Sequence, residues 1–160
     1  ARALRQRGVQ ARLVIIGEVD PDNRASIDVA TLNAWRSEGV VELWGFRSDI
    51  PEVLATADVA CLPSYREGLP KSLLEAMAAE LPCVTTDVPG CREVVRDGDN
   101  GLLVPARDAL ALAEALERLL RDPVLARKMG ERGRQRLEQE FSARHVNEST
   151  LALYREMLAG

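Results

Sequence analysis

The sequence predicts an α/β fold built on a parallel sheet with helices on both faces. Three observations carry this. Short apolar runs at residues 12–17, 40–44, 58–62, 82–86 and 102–104 have the length and composition of buried strands. Segments with helical apolar spacing lie between them, and strands alternating with helices give parallel neighbours joined by right-handed crossovers. The connections are rich in Gly, Pro, Asp and Asn, the residues that turns demand. With 160 residues the chain is long enough for one domain with a substantial core.

Residues 1–8 read as the end of a helix closed by Gly8, and Arg12 to Gly17 as the first strand. Asp20-Pro21-Asp22-Asn23 is a turn rather than a metal site. A polar amphipathic helix is expected over 24–38, stopped by Gly39 ahead of the strand at 40–44. Ser48 or Asp49 is placed to cap a short helix over 50–56. The strand at 58–62 leads through a loop to a helix over 70–79, with Pro70 at the first helical position, where its missing N–H costs nothing. The strand 82–86 is followed by the turn Asp87-Val88-Pro89-Gly90 and a short helix over 91–95. Asp97-Gly98-Asp99-Asn100-Gly101 has the spacing of a D-x-D metal ligand pair, but its glycines favour a tight turn. Asp108 caps a helix over 109–121 with Leu110, Ala113, Leu116 and Leu120 on one face. Asp122-Pro123 opens another helix to about residue 139, and Ser142 caps the last one. His145, near that start, reads as a surface or capping residue.

Composition excludes several function classes. A net charge of −4 with only 4% aromatic residues gives neither a basic footprint nor a stacking platform for nucleic acid. The longest apolar runs fall far below a membrane span, and no signal-peptide pattern opens the chain. One His and three scattered Cys argue against a zinc site. Cys61 and Cys83 lie in strand-like runs, where a reduced thiol behaves as a small hydrophobe, whereas Cys91 is expected to be more exposed. A reducing cytoplasm is the simplest setting.

The richest stretch is Ser64-Tyr65-Arg66-Glu67-Gly68-Leu69-Pro70-Lys71-Ser72-Leu73-Leu74-Glu75. It places Glu67 in a loop at the carboxyl end of a strand and Glu75 inside the following helix. Helical side chains lean toward the helix N-terminus, which carries the Glu75 carboxylate back toward the loop. A carboxylate can accept both hydroxyls of a vicinal diol, and the free N–H groups from Gly68 onward attract phosphate oxygens. Acid, amides, acid is therefore a lining suited to a sugar nucleotide, on the edge where open α/β sheets bind ligands. The plainer alternative makes Glu67 a solvated loop acid and pairs Glu75 with Lys71.

This region resembles the E-x7-E segment of the GT4 family of retaining glycosyltransferases. The resemblance runs through Leu62-Pro63-Ser64, Glu67-Gly68-Leu69-Pro70, Leu73-Leu74-Glu75-Ala76-Met77-Ala78, Leu81 to Gly90, Glu93-Val94-Val95 and Gly101 to Val104, and covers most of residues 12–158. It implies the second Rossmann-like half of a GT-B fold, a single nucleotide-sugar-binding domain over residues 1–160, with the acceptor domain and the first βα unit lying elsewhere. It implies that Glu67 contacts the transferred sugar, that Gly68 and Leu69 offer backbone N–H groups, and that Glu75 holds the ribose diol. It places Phe46 and Arg47 in the base-contacting loop and implies no metal and no cofactor. Lys71 is either a phosphate contact or a solvated lysine at a helix start. Relatives carry Phe-Gly where this chain has Leu69-Pro70, and Gly-x-Gly where it has Gly17-Glu18-Val19.

The expected activity is retaining transfer of a hexose or N-acetylhexosamine from a nucleotide diphosphate sugar to a glycan or lipid-linked acceptor, in bacterial surface polysaccharide synthesis. The full-length enzyme would be cytoplasmic, with peripheral contact at the inner face of the membrane. The isolated chain would self-associate and be inactive alone. The alternatives are a standalone nucleotide-sugar-binding module and, on the same kind of fold, an epimerase or phosphorylase.

Overall fold

The computed structural model describes residues 1–19 and 26–159. These residues form two compact units, one over Ala1–Glu52 and one from Val53 onward. All strand pairs are parallel, and helices alternate with them, as an α/β chain requires. The five strands lie in two sheets, however, not in the one sheet read from the sequence. Apolar runs identify a buried strand but carry no information about which neighbour it pairs with.

In the first unit, α1 (Arg2–Gln6) precedes β1 (Val14–Ile16), α2 (Val29–Glu38) and β2 (Glu42–Gly45). β1 and β2 pair in register Val14–Glu42 and Ile15–Leu43, with a slip that brings Ile16 opposite Gly45. α2 starts later than the sequence pattern suggests, because the Asp28 carboxylate accepts the Thr31 N–H at 2.8 Å and caps the helix there. The turn expected at 20–23, and the first two residues of the helix expected from 24, lie outside the described residues. Gly39, at φ +68, ends α2 as expected. Arg2 grips Glu38 through two guanidinium nitrogens and Arg5 donates to the Gly39 carbonyl at 2.7 Å, which ties α1 to the end of α2.

The second unit holds the larger core. α3 (Ile50–Leu54) crosses the boundary in sequence, and β3 (Ala60–Leu62), α4 (Lys71–Ala78), β4 (Cys83–Thr86), α5 (Pro89–Val94) and β5 (Gly101–Val104) follow. The sheet order is β3-β4-β5, with Cys61 beside Val84 and Val84 beside Leu102. β4 is central and buried along its whole length, so the hydroxyls of its Thr85 and Thr86 need hydrogen-bond partners there. Leu73, Ala76 and Met77 of α4 and Cys91, Val94 and Val95 at α5 pack with Cys83 into one core. α6 (Ala109–Arg121) is capped by Asp108 as expected, and α7 (Pro123–Arg136) opens at Asp122-Pro123, where the Asp122 carboxylate also caps it. The helix then widens into a single π turn over Leu137–Phe141 instead of running on to 139 as an α-helix. α8 (Ala143–Ala159) begins after Ser142, whose hydroxyl accepts the His145 N–H at 3.3 Å. His145 is exposed, in keeping with a capping position.

Two cysteine expectations are reversed. Cys91 is fully buried because α5 turns it onto the sheet, 3.1 Å from the Thr85 hydroxyl. Cys61 is exposed, because β3 is an edge strand whose middle residue is left uncovered. On α6 the buried face runs through Ala113, Leu116 and Leu119, whereas Leu110 stands in solvent.

Candidate functional site

The chain from Pro63 to Pro70 leaves the carboxyl end of β3 without regular structure, so its shape depends on side chains of the neighbouring strand. Thr85 donates to the Leu62 carbonyl at 2.7 Å, and the Thr86 hydroxyl donates to the Ser64 carbonyl. Both threonines are buried at the carboxyl end of β4, so they anchor the loop from the neighbouring strand. The Ser64 hydroxyl in turn donates to Glu67 Oε1 at 2.5 Å. This holds one carboxylate oxygen and leaves the remaining lone pairs of the group for a ligand.

A second restraint comes from α5. Gly90, in its first turn, sits so close to the loop that an added Cβ would overlap the carbonyl oxygens of Glu67 and Gly68. The backbone of the Glu67 loop therefore rests directly on the start of α5. Gly68 itself has open space where a Cβ would be, and Leu69 is exposed, so the side of the loop away from α5 is open to solvent.

Pro70 occupies the N-cap of α4, one residue earlier than expected, and Lys71 is the first helical residue. No side chain caps this helix. Its first amides and its dipole are thus presented toward the Glu67 loop. Glu75 is the fifth helical residue, and its Oε1 lies 3.3 Å from Lys71 Nζ. The bridge ties the carboxylate to the first turn of the helix, the direction in which helical side chains lean. Lys71 is 86% exposed and Glu75 is partly exposed, so this is a solvent-screened pair of the kind that contributes at most about 0.5 kcal/mol. Glu67, Gly68, Leu69, Lys71 and Glu75 are in this way gathered between the end of β3 and the first turns of α4.

Phe46 and Arg47 belong to the first unit and follow β2. Gly45 takes φ +65, which turns the chain out of the strand and leaves Phe46 71% exposed. Arg47 donates Nε to Asp49 Oδ1 at 2.7 Å, and its guanidinium lies 5.8 Å from the Trp44 ring. Asp49 is thus engaged with Arg47. The hydrogen bond between them is the largest cause that raises the Arg47 pKa and lowers that of Asp49. On the other side Arg12 approaches Trp44 at 5.2 Å while bonding Glu42, which also accepts the Trp44 indole N–H at 3.0 Å.

Several residues that shape the loop escaped the sequence reading. Thr85, Thr86 and Gly90 read as strand and turn residues, and only their geometry gives them a role. Arg107 is another. It follows β5, takes φ +66, and places its guanidinium 5.3 Å from the centre of the Tyr65 ring. The Asp97 to Asn100 segment forms the expected turn. Asp97 accepts the Leu103 N–H at 2.9 Å and Asp99 pairs with Arg132 at 3.0 Å, so the two acids point to separate partners. Among the described residues, no helix is long and apolar enough to cross a membrane.

The family model for glycosyl transferases group 1 matches residues 1–122. EpsD of Bacillus subtilis (strain 168), whose name places it among glycosyltransferases, is 39% identical over 148 residues, which is 92% of this chain and 38% of that protein. The capsular polysaccharide biosynthesis glycosyltransferase CapM of Staphylococcus aureus is 32% identical over 95% of this chain and 40% of its own length. The solved sucrose-phosphate synthase of Thermosynechococcus elongatus superposes with a TM-score of 0.84 at 30% identity, over 99% of this chain and 41% of that one. This chain therefore spans about two fifths of the length of each of these three proteins.

Proposed function

This chain belongs to the glycosyl transferases group 1 family, and we propose that it is the donor-binding domain of a retaining glycosyltransferase. The observation that carries the reading is the gathering of Glu67, the uncapped start of α4 and the Lys71–Glu75 pair at one strand end. In this proposal Glu67 accepts hydroxyls of the transferred sugar, and Gly68 and Leu69 donate backbone N–H groups to the sugar or its diphosphate. Glu75 takes the ribose diol. Its bridge to Lys71 is weak enough to exchange for a ligand, and the freed ammonium is then available to a phosphate. Phe46 and Arg47 serve the base. The amides, the helix dipole and Lys71 together offset diphosphate charge without a divalent ion.

The donor is a nucleotide diphosphate carrying a hexose or N-acetylhexosamine. The bond between the anomeric carbon and the β-phosphate oxygen breaks, and the acceptor hydroxyl bonds to that carbon from the same face. The acceptor's proton leaves with the diphosphate. Negative charge develops on the β-phosphate, where the donors at the head of α4 act. Glu67 is thus a catalytic residue by contact with the reacting sugar, and no covalent nucleophile is assigned. The acceptor, a glycan or lipid-linked sugar, is taken up by a further domain of the longer protein. The name of CapM, a capsular polysaccharide biosynthesis glycosyltransferase, supports a place in bacterial surface polysaccharide synthesis. That setting is cytoplasmic, at the inner face of the membrane.

Titration calorimetry with UDP and GDP on the full-length protein tests the assignment. Glu75→Ala removes a charged acceptor, and hydrogen bonds to charged groups contribute about 1.5–3 kcal/mol, so affinity should fall roughly ten- to a hundredfold. Equal affinity in wild type and variant would remove Glu75 from the site. Tyr154 and Met157 on α8 are exposed apolar residues, so the isolated chain should self-associate. A monomeric sedimentation profile at high concentration would count against that.

A further inference from the structure

We propose that Arg107 is a positioning residue that latches the Glu67 loop through Tyr65. The two residues lie on the loops that follow β3 and β5, strands separated by β4. Among the described residues, no backbone hydrogen bond joins those loops directly. The Arg107 guanidinium, 5.3 Å from the Tyr65 ring centre, does so in side-chain terms. Tyr65 is 63% exposed, so its ring is not held by core packing, and the cation over its face is what fixes its place.

Two features make this contact more than a surface coincidence. First, Arg107 holds φ +66, a conformation that costs a residue with a side chain and that glycine would occupy freely. The side chain at this position is kept against its backbone preference. Second, Tyr65 lies between Ser64 and Glu67 in sequence. Ser64 is bonded through its carbonyl to Thr86 and through its hydroxyl to Glu67. A restraint on Tyr65 therefore acts directly on the segment that aims the Glu67 carboxylate. Thr86 and Gly90 hold this segment from β4 and α5, while Arg107 holds it from the solvent side. The inference rests on the proposed role of Glu67 only for its consequence in binding, since the latch itself is a property of the loop.

Hydrogen exchange followed by mass spectrometry in the full-length protein tests it. Arg107→Ala and Tyr65→Leu should each speed exchange of the amides over residues 64–69 two- to fivefold, the range of an exposed cation–π contact. The double variant should add nothing further, because both changes break the same contact. Arg107→Lys, which keeps a cation, should retain part of the protection. Arg107→Gly relieves the backbone yet should still release the loop, which assigns the effect to the side chain. Exchange over residues 109–121 should stay unchanged in all of them. Unchanged exchange over 64–69 in Arg107→Ala would overturn the proposal, as would an equal rise over 109–121. UDP affinity should fall two- to fivefold in the same variants. A loss of UDP affinity without faster loop exchange would make Arg107 a direct ligand and overturn the latch. Failure of the wild type to bind either UDP or GDP would sink the proposed function, whereas the exchange result would stand by itself.

Discussion

Substituting Gly90 by Ala puts the construction of the Glu67 loop to a quantitative test. The added Cβ would overlap the carbonyl oxygens of both Glu67 and Gly68. These are backbone atoms, so no flexible side-chain end can yield. Restoring van der Waals distance requires the loop and the start of α5 to separate by roughly 1 Å, and overpacking of this kind costs about 1–3 kcal/mol. In urea, with a slope of about 1–3 kcal/mol/M, that moves the midpoint down by roughly 1 M. The second effect is on the site, where a displacement of about 1 Å can cost up to a hundredfold. Gly130→Ala separates the two effects. Its Cβ would overlap the Glu80 carbonyl, at the far end of α4 from the loop. That variant should lose comparable stability and keep its UDP affinity. Gly68→Ala, which meets no neighbour, should change stability by no more than about 1 kcal/mol. The probe matters. Trp35 and Trp44, the chain's two tryptophans, both lie in the first unit, so indole fluorescence reports on that unit. Far-ultraviolet circular dichroism and amide exchange over residues 64–69 report on the second. A Gly90→Ala protein with wild-type midpoint and wild-type loop exchange would refute the close packing of α5 on the loop.

Other substitutions follow from the same geometry. Asn100 is fully buried, accepts the Arg96 N–H at 2.7 Å and donates to the Val94 carbonyl at 3.1 Å. Asn100→Ala strands both backbone groups and should destabilise the second unit by about 2–5 kcal/mol, measured by chemical denaturation. Arg12, first, and the Trp44 indole, second, hold the Glu42 carboxyl down from 4.5 to about 2. A carboxyl depressed on folding stabilises the folded state above its unfolded pKa and loses that contribution as pH falls toward the folded one. Wild type should therefore exceed Glu42→Gln in stability above pH 4.5, and the two should converge as the pH drops toward 2. Indole fluorescence reports the right unit, and a difference that stays constant through that window would contradict the ion-pair account.

The elements of this fold were legible because they rest on local chemistry. Caps at Asp108 and Ser142, the stop at Gly39 and the helix opening at Asp122-Pro123 each act within a few residues. The candidate site was legible for a related reason. Glu67, Lys71 and Glu75 lie in one continuous stretch, so helical spacing alone brings Lys71 and Glu75 together. Strand pairing was not legible, since it depends on contacts between distant segments. The limits of Cys61 and Cys91 have the same origin. An apolar run suggested burial for Cys61, but its strand is an edge, and edges are defined only by what fails to pair.

What the sequence hid most completely is the support of the loop from β4, and the physical reason is specific. Thr85 and Thr86 are ordinary strand residues by propensity, since their branched side chains suit a pleated surface. Their hydroxyls matter only because β3 runs parallel to β4 in a register that sets Leu62 beside Thr85. In a parallel pair the two carboxyl ends lie at the same edge, so hydroxyls at the end of one strand meet carbonyls of the loop leaving the other. A shift of register by one residue would set Thr85 and Thr86 beside other residues and break both bonds. The aim of Glu67 is therefore set by pairing between β3 and β4, through Thr86 to Ser64 and from Ser64 to the carboxylate. Thr86→Val, which keeps the branched shape and removes the hydroxyl, isolates this step. It should cost about 1–3 kcal/mol, the penalty for leaving the Ser64 carbonyl without its donor. It should also speed amide exchange over residues 64–69 while leaving the β4–β5 pairing intact. Equal loss of protection across β5 would mean that Thr86 stabilises the sheet itself and does not aim the loop.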